Sequence, residues 1–177
     1  MTTLQFTITI ARELGLFALL IAATYTDIAY GRICNWLVYP AIAAGLVLAV
    51  LGQAAGAGGP DIVSSMAGLA MGAGIFGFFF LKGAMGAADV KLAAAIGALK
   101  GWEFFAWALV YITLAGCILA VAVVIWRGRF LESMKNSALF MIRPGRLRAK
   151  MEAAGQKPVL IPYGVAMAVG TMFAWFC

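Results

Sequence analysis

Histidine is missing altogether from the 177 residues. That absence removes the Ser-His-Asp and Cys-His nucleophile arrangements and most zinc sites at once. Cysteine is scarce and scattered. Cys34, Cys117 and Cys177 form no CxxC pair, so neither a metal knuckle nor a disulfide framework is indicated, and each reads as a small apolar residue. Charge is scarce too, at 11% of residues against 64% hydrophobic. A soluble domain this apolar could not cover its surface with polar groups, so lipid must be part of its solvent. No basic residue precedes the first apolar stretch, and Arg12 and Glu13 interrupt it, which is not the pattern of a cleavable signal. The length suits one membrane domain over 1–177.

What is present is a series of uncharged runs, at 14–26, 33–60, 62–81, 104–126 and 158–177. A hydrocarbon core about 30 Å thick needs roughly 20 residues of helix, and all but the first run reach that length alone. The first does so if Arg12 and Glu13 snorkel to the interface. The Gly-rich stretch 53–60 separates the second run from the third. Segment 87–100, charge-free only over 92–99, is read as a short fourth crossing shielded by protein. Orientation follows from the loop 127–157, which carries Arg127, Arg129, Lys135, Arg143, Arg146, Arg148, Lys150 and Lys157 against only Glu132 and Glu152. The positive-inside bias puts this loop in the cytoplasm. Six transmembrane helices with both termini outside satisfy that bias, and agree with the basic residues at Arg32 and over 82–91. The expected fold class is therefore an all-α polytopic membrane protein. Within the basic loop, Phe130, Leu131, Met134, Ala138, Met141 and Ile142 recur at helical spacing, which predicts a cytoplasmic amphipathic segment between helices five and six. Its partner is the anionic bilayer surface, not nucleic acid. Gly68 and Gly72 form a GxxxG pair that permits close helix approach.

The chain has three aspartates, Asp27, Asp61 and Asp89. Asp61 follows Pro60 and is placed to cap the third helix. Asp27 falls where the first helix reaches the cytoplasm and Asp89 where the fourth leaves it, so the topology puts both at one depth. An ionisable residue within a membrane segment is costly and usually faces a polar cavity with a function. Two carboxyl groups together there cannot both ionise easily, and the pair can act as acid and base. The charged member activates a water against a peptide carbonyl; the protonated member polarises that carbonyl and serves the leaving amine. The bland reading has Asp27 paired with Arg32, and Asp89 with Lys91 or Lys82, as interface anchors.

Around Asp89 the chain reads Ala84-Met85-Gly86-Ala87-Ala88-Asp89-Val90-Lys91-Leu92. This closely resembles the GxGD motif of the prepilin peptidases, a family of membrane aspartic proteases, with Ala88 at the second glycine. Asp27-Ile-Ala-Tyr-Gly-Arg-Ile-Cys-Asn-Trp36 resembles the family's first motif, with Cys34 where proline is usual. Ile161-Pro162-Tyr163-Gly164-Val165-Ala166 resembles the stretch that opens its last helix. The resemblance implies a catalytic dyad of Asp27 and Asp89. It also implies an active-site loop of Gly86, Ala87, Ala88 and Lys91, completed by Pro162, Tyr163 and Gly164, with no metal and no cofactor. The implied reaction is cleavage of the basic leader of type IV prepilins or pseudopilins at the cytoplasmic face of the bacterial inner membrane. The missing CxxC domain implies the short form associated with Flp/Tad pili, without methyltransferase activity. Ala88 raises a question of backbone freedom, because alanine does not adopt positive φ cheaply.

Two readings from other classes stand beside this one. A proton-coupled transporter or channel subunit would use Asp27 and Asp89 as relay groups, although relay carboxylates usually lie nearer the midplane. An assembly subunit of a secretion machine would use them only as anchors.

Overall fold

A computed structural model of the protein describes residues 3–30, 33–82, 85–126 and 163–176. These form five helices: α1 Thr3–Tyr30, α2 Asn35–Ala54, α3 Ile62–Leu81, α4 Ala87–Trp126 and α5 Tyr163–Phe176, with no strand among the described residues. The amphipathic segment expected in 127–157, Arg32 and Pro162 lie outside the described residues. Helices α1 to α3 and 87–122 of α4 are long and apolar enough to cross a membrane, while α5 is shorter and equally apolar. Large apolar side chains face outward along them, Trp36 at 91% exposure and Leu81 at 83% among them. A surface of that kind is stable only against lipid. The architecture is that of a multi-pass membrane protein.

The chain groups into two compact units, Met1–Ala115 with Pro162–Cys177, and Gly116–Ile161. Both aspartates of interest belong to the first.

Within that unit, α4 changes direction at Gly101, whose φ of 80° and ψ of 174° are not helical. Contacts with α3 show what the break does. Gly72 abuts Ala93 and Gly68 abuts Gly97, so the arm 87–100 runs antiparallel to α3. On the other side of Gly101, the Phe105 ring lies 6.5 Å from that of Phe76. Moving away from Gly101 in either direction therefore leads the same way along α3, and the two arms fold back on one another. The first arm is about 21 Å long at 1.5 Å per residue, too short to span a bilayer alone. It is also the centre of the bundle, since every residue from Leu92 to Leu99 is buried. Enclosure by protein satisfies at depth what lipid could not.

Small residues make that enclosure possible. A Cβ on Gly72 would stand 2.6 Å from the Ala93 carbonyl oxygen, and one on Gly45 would stand 2.9 Å from that of Ala98. Apolar side chains gain little by leaving lipid for protein, so close backbone approach and dispersion contacts hold such helices together. Leu16, Leu20, Ile96, Leu99, Phe105 and Met167 fill the remaining space. At the start of α3, Asp61 caps the helix as expected: its carboxylate accepts from the Ser64 N–H at 2.8 Å.

The one departure at the far end of α1 concerns Arg12 and Glu13. They do not snorkel outward. Arg12 is 4% exposed and donates to the Leu48 carbonyl at 3.0 Å, while Glu13 takes the Lys100 ammonium at 2.6 Å and the Trp175 indole N–H at 2.8 Å. Helix α1 begins at Thr3, about three turns before the uncharged run starts at 14, so Arg12 sits inside the bundle and Glu13 at its edge, each with partners from other elements.

Candidate active site

Asp27 lies in the last turn of α1 and Asp89 in the first turn of α4. Because α1 is antiparallel to the first arm of α4, with Gly15 against Leu99 and Glu13 against Lys100, both aspartates reach the same end of the bundle. Asp89 is 8% exposed and Asp27 is half-buried.

Each carboxyl group is held by a backbone N–H. Asp89 is the third helical residue of α4, and its Oδ2 accepts from the Gly86 N–H at 3.1 Å while its own N–H donates to the Gly86 carbonyl at 3.2 Å. This is the acidic half of a capping box, in which a residue in the first turn reaches back to the residue before the helix. Asp27 Oδ2 accepts from the Gly164 N–H at 2.9 Å, one residue into α5. A free N–H at a helix start and the positive end of the helix dipole both suit a carboxyl oxygen. Glycine is needed at 164 for access, because a Cβ there would stand 2.6 Å from Asp27 Oδ2.

Of the cations that could have turned these aspartates into anchors, Lys91 and Lys82 are engaged elsewhere, and Arg32 is outside the described residues. Lys91 donates to Asn35 Oδ1 at 2.7 Å and stands 5.7 Å above the Tyr39 ring. Lys82 lies over the Phe78 ring at 5.5 Å. Among the described residues, the ion pair of the bundle is Lys100–Glu13, about 20 Å along α1 from Asp27. Gly86 and Ala87 are exposed beside Asp89, leaving its approach open. Ala88 is the second residue of α4 and packs against the core, and no non-glycine residue among those described has positive φ. The backbone freedom asked of the motif's second glycine is thus not required here. Cys34, exposed at the N-cap of α2, has φ −70°, a value proline also adopts, so the exchange leaves the backbone path unaltered. Tyr163 opens α5 half-buried beside Gly164.

The structure therefore places Asp27, Asp89, Gly86 and Gly164 at one end of the bundle, with Lys91 of α4 held against the adjoining face of α2. No group of histidine, cysteine, aspartate or glutamate suited to a metal occurs among the described residues. Asn35 and Tyr39, which receive Lys91, escape a reading of the sequence alone. Asn35 stands within the first motif, but nothing local ties it to a lysine 56 positions away.

The family model of the type IV leader peptidases matches residues 14–125, well over half of the chain and inclusive of both aspartates. The chain belongs to the type IV leader peptidase family. Comparison with curated proteins and with solved structures gave no match. Asp27 and Asp89 fall inside the stretch that matches the type IV leader peptidases, whereas Gly164 comes from beyond it and reaches Asp27 through the fold.

Proposed function

We propose that this chain is a membrane aspartyl endopeptidase that removes the basic leader from type IV prepilins of the Flp type, with Asp27 and Asp89 as its dyad. The observation that carries the proposal is placement: Asp27 and Asp89, on separate helices, lie at the same end of the bundle, and no ion pair to either occurs among the described residues. A structural anchor would be neutralised by a lysine or arginine, and a catalyst must stay available.

A water between the two carboxyl groups loses its proton to the charged aspartate as it attacks the scissile carbonyl. The protonated partner donates to the developing oxyanion, and the proton held by the first then goes to the departing amine. The backbone N–H groups of Gly86 and Gly164 orient the two acids. The exposed Gly86–Ala87 stretch lets an extended substrate backbone lie alongside.

In this reading the protein is one membrane-embedded peptidase domain in the bacterial inner membrane, with six crossings and both termini outside. The break at Gly101 supports that count by dividing α4 into two arms, and the basic residues over 127–157 support a cytoplasmic site. A prepilin would present its leader there, with its apolar helix in the bilayer. No methyltransferase activity is expected.

The test is co-expression with a Flp-type prepilin, scored by leader loss. Asn is the right replacement at either position, because its amide oxygen still accepts from Gly164 or Gly86 while acid–base function is lost. Asp27→Asn and Asp89→Asn should each reduce processing by about a thousandfold, within the range for removing a general acid or base. Full processing by either variant defeats the dyad.

A further inference from the structure

Lys91 has the right chemistry to serve the aspartates and does not do so. Its ammonium is held at 2.7 Å by Asn35 Oδ1 and lies 5.7 Å over the Tyr39 ring. Asn35 and Tyr39 are four residues apart on α2, hence on one helical face. A cation fixed at once by a short charge-assisted hydrogen bond and by an aromatic face is an anchored group, not a free surface charge. Its position explains what is anchored. Lys91 stands two residues after Asp89 in the first arm of α4, and Asn35 stands eight residues after Asp27, across the short α1–α2 connection. The lysine's reach joins the helix bearing Asp89 to α2, which follows the helix bearing Asp27 in the chain. The parallel course of α2 beside the α4 arm, from Asn35–Lys91 to Gly45–Ala98, keeps that reach short.

We infer that Lys91 is a positioning residue that clamps the first turn of α2 against α4 and thereby sets the spacing of Asp27 from Asp89. The inference rests on the peptidase reading above. It assigns Lys91 no contact with substrate; a cation there would in any case repel a basic leader. Since catalysis by two carboxyl groups depends on sub-ångström spacing, loosening the clamp lowers turnover more than binding.

The test uses the full chain in lipid nanodiscs with a purified Flp-type prepilin. Lys91→Met should lower kcat about tenfold with KM changed less than about twofold, and Asn35→Ala should do the same. The double variant should be no worse than either single, because both break one interaction. Lys91→Arg, which retains the charge and a donor, should recover most of the rate. A raised KM at unchanged kcat, additive losses in the double variant, or a wild-type rate in Lys91→Met would each overturn the inference. A second measurement needs no substrate. Amide hydrogen exchange over 35–39 should quicken severalfold in Lys91→Met and not in Lys91→Arg, and unchanged exchange overturns the clamp outright. If the wild-type chain cleaves no prepilin while exchange responds as stated, the peptidase reading fails and the clamp stands.

Discussion

A single methyl group separates the glycine at 164 from a disabled site. Its N–H holds Asp27 Oδ2 at 2.9 Å, and the Cβ of an alanine would stand 2.6 Å from that same oxygen and 3.0 Å from the carboxyl carbon. Either the carboxyl group or the start of α5 must yield. Displacement by about 1 Å is enough to cost roughly a hundredfold in rate. Gly164→Ala should therefore reduce kcat for leader cleavage by about that factor while the protein remains folded, as circular dichroism would report. Ala88→Gly is the informative contrast. It restores the family's glycine, yet Ala88 is already helical and faces the core, so no gain in rate is expected and helix stability falls by up to about 1 kcal/mol. A large increase in rate would show that the site needs flexibility the present geometry lacks. The aspartates and Gly86 were legible in the sequence because the motif is local. The roles of Ala88 and Lys91 were not, since one depends on where α4 begins and the other on a partner 56 residues distant.

Helix α4 shows how an element can be legible in extent and hidden in shape. Hydropathy alone locates α2, α3 and the arm after Gly101, because lipid demands long uncharged runs and polar residues interrupt them. The arm 87–100 could be read as a crossing or a re-entrant turn from composition, and only parity of charge favoured a crossing. The structure shows that the arm is enclosed and that Gly101 turns the chain back with φ 80°. That conformation belongs to a region essentially restricted to glycine, and it costs other residues about 1–3 kcal/mol. Space is short as well, with Ser64 Oγ at 2.5 Å and Pro60 Cβ at 2.7 Å from where a Cβ would stand. Gly101→Ala is therefore expected to lose about 3 kcal/mol in detergent-driven unfolding, mostly from backbone strain and partly from displacement of Ser64. A loss below about 1 kcal/mol would mean that the reversal is relaxed and owes little to this glycine.

Across the whole bundle, the two ends are held by different forces, and the difference bears on function. At the aspartate end the bonds run from backbone N–H groups to carboxyl oxygens, which leaves acidic protons free for chemistry. At the other end, full charges are consumed. Glu13 gathers Lys100 and Trp175, while Arg12 secures Leu48 and Pro60, so two consecutive residues of α1 tie it to α2, the α2–α3 connection, α4 and α5. Charge within apolar runs was visible in the sequence, but snorkelling and internal pairing look alike there, because the distinction lies in which helices surround α1. Lys100 immediately precedes the break at Gly101, so its ion pair ties α1 to α4 next to the turn. Replacing one partner leaves the other charge in a poorly solvated place, which costs more than losing the pair together. Glu13→Met should thus destabilise the bundle by about 2–3 kcal/mol, and Glu13→Met with Lys100→Met by clearly less. Because this cluster stands about 20 Å from Asp27, kcat of the folded fraction should stay within about threefold of wild type in both. Equal destabilisation in the single and double variants would show that Lys100 finds other compensation. A collapse of kcat without loss of stability would show that this end sets the geometry of the aspartates.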